Sequence, residues 1–333
     1  MKREEVFNFS AGPSVLPTEV LEIAGKDILN YGGSGMSVME MSHRSKVYLE
    51  IFESTKSKMK SALSIPDTHE VLFLQGGASL QFSMIPMNLM HELGKGKADY
   101  AVTGNFATIA TKEAKKYGTV NIAASSEDKN HTYIPKQSDL KLSPDADYFY
   151  YCANNTIYGT EWQYVPETGN VPICCDMSSN ILSKPVDVSK YGIIFAGAQK
   201  NMAPAGLTVV IIDKSLAGKE MSCTPLMMSY QRMIEKDSMY NTPPCWNIYM
   251  LGLVLDWLGK QGGVVERLTG STDPPPLDQE EGHIRIGAGD EPPTDWMSSF
   301  RARPLAGLAG WLEGTSEVGA MLSVDVERRA LAR

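Results

Sequence analysis

Gly192-Ile193-Ile194-Phe195-Ala196-Gly197-Ala198-Gln199-Lys200-Asn201 is the stretch whose reading decides the fold. A short apolar run gives way to small residues and then to a lysine, the pattern of a buried strand feeding a loop at the edge of an α/β sheet. Working outward, similar short runs occur at Val71 to Leu74, Tyr100 to Val102, Val120 to Ala123, Tyr148 to Cys152, Ile173 to Cys175 and Leu207 to Ile212. Several are apolar throughout, as strands covered on both faces should be. With Ile193 to Phe195 they predict one large, mainly parallel seven-stranded sheet in an α/β fold. Helices are expected between them. Pro17 to Leu29 opens with a first-turn proline, and Lys46 to Leu63 places Val47, Ile51, Met59 and Leu63 near one face.

The chain's 333 residues exceed one average domain, so a large domain with a smaller companion is expected. Hydrophobic content of 43% with 21% charged residues is ordinary for a globular protein, and no apolar run approaches the roughly 18 residues of a membrane helix. Met1-Lys2-Arg3-Glu4-Glu5 is charged, and Gly12, Pro13 and Pro17 break the segment after it, so no secretory signal forms and a cytoplasmic location is expected. Five cysteines, Cys152, Cys174, Cys175, Cys223 and Cys245, include no Cys-x-x-Cys pair. Reduced structural thiols are expected, and no metal site. The formal charge of −8 argues against nucleic acid as a partner, because phosphate backbones are bound by basic surfaces.

Four positions carry candidate chemistry. Lys200, where a strand gives way to a loop, stands where α/β active sites lie, and a partly desolvated amine there can form a Schiff base with an aldehyde cofactor; most lysines, however, are solvated surface residues. Asp176 ends the run Val171-Pro172-Ile173-Cys174-Cys175 and faces the same crevice, where it would either pair with a cofactor's pyridine nitrogen or cap the following turn. Gln75-Gly76-Gly77-Ala78-Ser79 follows a strand and precedes a helix beginning near Leu80, so its backbone amides can cradle a phosphate, though a Gly-Gly turn is more often merely a turn. Phe106 in Gly104-Asn105-Phe106-Ala107 either stacks on a flat ring or fills the core. All four fall at successive strand ends of one sheet, which raises each of them.

Longer strings carry a resemblance. Asn8-Phe9-Ser10-Ala11-Gly12-Pro13, Ser37-Val38-Met39-Glu40-Met41-Ser42-His43-Arg44, Gly197-Ala198-Gln199-Lys200-Asn201 with Pro204-Ala205-Gly206-Leu207-Thr208, and Asn241-Thr242-Pro243-Pro244 resemble the phosphoserine aminotransferases, from about Val6 to Arg267. The resemblance implies the type I pyridoxal-phosphate fold: residues 1–16 joining a small domain, a large cofactor domain over 17–258, and a small α/β C-terminal domain over 259–333. Lys200 would hold pyridoxal 5'-phosphate covalently and shuttle the Cα proton, Asp176 would hold the ring nitrogen, and Phe106 would stack at a position usually occupied by Trp. Thr156 in Asn154-Asn155-Thr156-Ile157 matches a cofactor-contacting threonine. Ala78, Ser79 and Gln199 would bind the cofactor phosphate with Asn241 and Thr242 of a partner subunit, making the enzyme a homodimer with shared sites. Ala11, His43 and Arg44 match positions that contact substrate, although His43 and Arg44 also read as a surface pair before a helix. The implied reaction, by a ping-pong route, passes the amino group of glutamate to 3-phosphohydroxypyruvate, giving phosphoserine and 2-oxoglutarate in serine biosynthesis. Whether 4-phosphohydroxythreonine, in pyridoxine biosynthesis, is also a substrate stays open. The alternatives are another class V aminotransferase, a cysteine desulfurase, or a homologue that binds the cofactor without turnover.

Beyond about residue 267 the character of the chain changes. All the lysines precede residue 268, whereas six arginines and no lysine, asparagine, tyrosine or cysteine follow it. Pro274-Pro275-Pro276 and Glu291-Pro292-Pro293 interrupt any helix before Leu305 to Leu312. Relatives carry Gly-His-Arg followed by Arg-Ala-Ser there, basic groups that hold the substrate's phosphate and carboxylate. Here the sole tail histidine, His283, stands in Glu281-Gly282-His283-Ile284-Arg285. The genetic code allows Gly314-Thr315-Ser316 to lie one base away from Gly-His-Arg, so a shifted reading frame, an atypical small domain and reduced turnover are expected.

Overall fold

The computed structural model describes residues 3–264. The expectations for the tail, including the Leu305 to Leu312 helix and most of the small domain, lie outside the described residues.

In chain order the elements are α1 (Thr18–Asp27), α2 (Lys46–Ala62), β1 (His69–Leu74), α3 (Gly77–Leu89), β2 (Lys97–Val102), α4 (Asn105–Ala114) and β3 (Thr119–Ser125). There follow β4 (Tyr148–Cys152), the two-residue strands β5 (Asn154–Asn155) and β6 (Thr160–Glu161), β7 (Ile173–Asp176), β8 (Ile193–Gly197), β9 (Thr208–Asp213), α5 (Tyr230–Glu235) and α6 (Cys245–Lys260). Seven strands form one sheet in the order β1-β9-β8-β7-β4-β2-β3, and β5 and β6 make a separate antiparallel hairpin. In the main sheet β9 runs antiparallel to both its neighbours, while the pairs from β8 to β3 are parallel. Each predicted strand is therefore present, to within a few residues at its ends.

Alternation along the strands sorts side chains onto two faces. Val71, Phe73, Tyr151, Cys175, Ile194, Val209 and Ile211 join the core beneath α2 and α6, whereas Leu72, Leu74, Tyr150, Cys174, Phe195, Val210 and Ile212 join the core beneath α3, α4 and α5. Inner strands are apolar because both their faces are covered. β3 departs from that expectation: among the described residues it is an edge strand of the sheet, and its Ile122 is exposed.

Helix boundaries differ from the sequence reading in instructive ways. Pro17 caps α1 rather than entering its first turn. Ser45 caps α2, its hydroxyl accepting from the Tyr48 amide at 3.3 Å, and the buried face runs through Tyr48, Ile51, Phe52, Thr55 and Met59. Val47, expected on that face, is 37% exposed; the stripe is centred one residue later, where the aromatic rings of Tyr48 and Phe52 reach the sheet. α3 starts at Gly77, not near Leu80, since Gly76 and Gly77 take the positive φ values of 87° and 65° that permit a sharp entry.

Phe52 is fully buried and meets Phe73 of β1 edge-on, their centroids 5.4 Å apart. Replacing Phe52 with Ala is expected to cost about 3–5 kcal/mol, read as a lowered urea midpoint at unchanged slope, because this contact joins α2 to the sheet. A change below about 1 kcal/mol would show that the α2 face collapses to fill the gap.

Candidate functional site

The C-terminal ends of β2, β4, β7 and β8 open at one edge of the sheet, and the chain leaves each through a polar or small residue. After β8 the loop is fixed from inside: the amides of Met202 and Ala203 donate to the Ala198 carbonyl at 3.1 and 2.8 Å, and Asn201 Nδ2 donates to the Ile181 carbonyl at 2.6 Å. Lys200 leaves this loop half-buried. Its Nζ donates to Thr156 Oγ1 at 2.7 Å and lies 4.8 Å from the centre of the Phe106 ring. The N-terminal segment closes over its stem: Ser14 N donates to the Gln199 carbonyl at 2.9 Å, the Ser14 hydroxyl bonds the Lys200 carbonyl, and a Cβ at Gly12 would stand 2.9 Å from Lys200 Cγ.

Asp176 ends β7 and is 4% exposed. Both the amide and the hydroxyl of Ser178 donate to its Oδ1, at 2.9 and 2.6 Å, which leaves Oδ2 to take another donor. The same Ser178 hydroxyl accepts from the Gly197 amide at 3.0 Å and so ties the carboxyl to the strand that leads to Lys200. Burial pushes the Asp176 carboxyl above the ordinary range, against the opposing pull of the Ser178 bonds and the Lys200 charge. Sequence reading missed Ser178; its signal was the Asp-x-Ser spacing just past a strand end, which makes an Asx turn. Of the two roles weighed for Asp176, the structure shows the cap of the following turn, made by the Ser178 bonds.

At α3 no side chain caps the helix, and its first intrahelical bond runs from the Leu80 amide to the Gly76 carbonyl at 3.2 Å. The amides of Gly77, Ala78 and Ser79 are thus the unclaimed donors of a helix start, where an anion is stabilised. A Cβ at Gly76 would meet Leu80 at 2.5 Å, so the turn also requires glycine for space.

Other expected residues fall differently. Gln199 is half-buried beside Lys200, with its side chain folded against Gly197. The side chains of Asn241 and Thr242 are exposed, yet Gln75 Nε2 donates to the Thr242 carbonyl at 3.1 Å, which joins that segment to the turn before α3 within the same chain. His43 and Arg44 are not a surface pair: Arg44 is exposed, whereas His43 is 9% exposed with Nε2 buried and unpartnered. Neither they nor the exposed Ala11 hydrogen-bond to the cluster around Lys200.

The group that the resemblance implies can be tested against these observations. An aromatic face beside a primary amine, a buried carboxyl lacking a basic hydrogen-bond partner and an uncapped helix start match the ring, aldehyde, ring nitrogen and phosphate of pyridoxal phosphate. The residues fit the group.

Comparison with known proteins agrees. The aminotransferase class-V family model matches residues 6–268. The phosphoserine aminotransferase of Laribacter hongkongensis is 51% identical over 259 residues, covering 78% of this chain and 71% of that relative, and the Bacillus cereus phosphoserine aminotransferase is 52% identical over 261 residues, covering 78% and 72%. Among solved structures, phosphoserine aminotransferase from Bacillus circulans subsp. alkalophilus superposes with a TM-score of 0.77 at 43% identity over 80% of this chain and 73% of that one. The pyridoxal-phosphate-bound phosphoserine aminotransferase of Trichomonas vaginalis gives 0.74 at 41%, over 78% and 76%.

A carboxyl whose folded pKa is raised contributes stability that is complete below its unfolded pKa and lost as pH rises through the folded value. Asp176→Asn is therefore expected to raise the melting temperature of the ligand-free chain by a few degrees at about pH 8, the advantage disappearing below about pH 4. An equal advantage at both pH values would separate the effect from the carboxyl's ionisation.

Proposed function

Because the chain belongs to the class-V aminotransferases, and among them to the phosphoserine aminotransferases, we propose that the cluster around Lys200 is its catalytic centre. The family reaction is a pyridoxal-phosphate-dependent transamination between L-glutamate and 3-phosphohydroxypyruvate, giving 2-oxoglutarate and O-phospho-L-serine. The bound cofactor supplies an aldehyde that accepts amines and an electron-withdrawing ring that acidifies the bond between a substrate's Cα and its hydrogen.

The chain's own residues do the rest. Lys200 Nζ would hold the cofactor at its aldehyde carbon and would serve as the base and acid that moves the proton at a substrate's Cα. Thr156 Oγ1 holds that nitrogen near the face of Phe106, so the amine and the ring share one slot. Asp176 would hold a proton on the cofactor's ring nitrogen, because desolvation penalises a lone buried carboxylate and so favours a cationic partner for it. The first-turn amides of α3 at Ala78 and Ser79, with Gln199, hold the phosphate. Asn241 and Thr242 of a partner subunit complete that grip, which makes a homodimer the working form, in the cytoplasm. Ala11, His43 and Arg44 contact substrate; the unpartnered Nε2 of His43 supports the reading, since a buried ring nitrogen calls for a partner. Burial pushes the thiols of Cys152, Cys174 and Cys175 up, away from the reactive thiolate, so none of these three suits a desulfurase.

The observation that carries the reading is the Lys200 amine held at 2.7 Å from Thr156 beside an aromatic face. Borohydride treatment of the cofactor-loaded protein is expected to label Lys200, and Lys200→Ala to lose both the label and at least about 100-fold in turnover. A holoprotein unlabelled at Lys200 would sink the assignment.

Turnover itself is expected to be low. The family match ends at residue 268, and the tail lacks the Gly-His-Arg and Arg-Ala-Ser strings that orient substrate, as a shifted reading frame would produce. Losing a charge-assisted carboxylate contact costs about 2–4 kcal/mol of transition-state stabilisation, a factor of tens to hundreds. Glutamate should therefore bleach the cofactor's visible band slowly. Activity equal to that of intact relatives would contradict this.

A further inference from the structure

We propose that Asn155 is a positioning residue that sets the width of the slot between Phe106 and the Thr156–Lys200 pair. The inference rests on the reading of that slot as the seat of a flat cofactor ring, and it assigns a role to a residue that neither contacts Lys200 nor faces the ring.

One buried amide locates both walls. Asn155 is 3% exposed and forms part of β5. Its Nδ2 donates to Thr103 Oγ1 at 3.2 Å on one side and, across the hairpin, to the hydroxyl and carbonyl of Thr160 at 3.0 and 3.3 Å on the other. Trp162 Nε1 reaches the same Thr103 hydroxyl at 3.3 Å, so the hairpin is tied twice to the end of β2. Thr103 leads through Gly104 into α4, whose second residue is Phe106. Asn155 leads directly into Thr156, which holds Lys200 Nζ. The aromatic wall and the hydroxyl wall thus share a single reference point.

The contact with Gly104 shows how close the approach is. A Cβ there would stand 2.6 Å from Asn155 Oδ1 and 3.2 Å from its Cβ. Gly104 has φ 177°, an extended backbone that any residue adopts, so space and not conformation demands glycine. An aspartate at 155 would set an oxygen against the Thr160 carbonyl where a donor now stands, opening the clamp while keeping its volume. Displacements of about 1 Å in such a slot are enough to weaken a site built on orientation.

The test uses pyridoxal phosphate and the full chain, with wild type, N155D, N155A, G104A and the pair G104A/N155A. Visible circular dichroism at saturation, divided by bound cofactor, reads how the ring is held in molecules that are folded and loaded; a merely stabilising role for Asn155 leaves it unchanged. N155D is expected to lose most of that signal per bound cofactor and to bind about tenfold more weakly. G104A should do the same, and the pair should bind no more weakly than G104A alone, because the atom that the new methyl strikes is gone. Unchanged ellipticity per bound cofactor in N155D, or losses in the pair equal to the product of the two single losses, overturns the inference alone. A wild-type chain that takes up no cofactor overturns the reading of the slot as well.

Discussion

Asp176 sets a carboxyl group where water scarcely reaches, and its hydrogen-bond donors, the amide and hydroxyl of Ser178, are neutral. Such a group is held at a cost unless a positive charge is brought to it, and the nearby Lys200 ammonium only partly offsets burial. The cost is borne because β7 lies at the centre of the sheet, flanked by β4 and β8, and cannot move its last residue outward without breaking the ladder on both sides. A cofactor with a protonatable ring nitrogen, as proposed here, would turn this unfavourable placement into an ion pair. The rest of the site is arranged around that carboxyl.

The arrangement follows from the sheet's parallel pairing. Strands that run the same way release their chains at the same edge, so Asp176, the Lys200 loop, the Thr103–Gly104 entry to α4 and the hairpin carrying Thr156 open onto one crevice although up to about a hundred residues separate them. β9, antiparallel, returns the chain beside β8, and the carbonyl of Leu207, just before β9, accepts from the Ala198 amide at 2.9 Å to brace the Lys200 loop from behind. The N-terminal segment then closes on Lys200 at Gly12 and Ser14, which places residues remote in sequence against its stem and its backbone carbonyl.

Most of this was legible because the sheet's inner strands are buried on both faces and so are written as short apolar runs with polar ends. Lys200, Asp176 and Phe106 stand at or just beyond such ends, and each was read there, whereas Thr156 came only from the resemblance. Legibility failed where a neighbour decides. Ile122 reads like any inner-strand residue, yet it is exposed on a strand that stands at an edge of the sheet among the described residues. Val47 fits the helical period as well as Tyr48 does, but the direction in which α2 meets the sheet selects Tyr48. His43 carries no local sign of being buried.

The sequence by itself determined the sheet, its helices, the lysine and carboxylate at their strand ends, and the point near residue 267 where the family pattern stops, because these are written in residue type, spacing and period. Tertiary structure alone decided that Ser178 would answer Asp176, that Asn155 would stand against Gly104, and that Thr156 would hold the Lys200 amine. The physical reason is that a hydrogen bond a few ångströms long depends on how two strand ends are registered, and register is a property of paired strands that no single stretch of chain encodes.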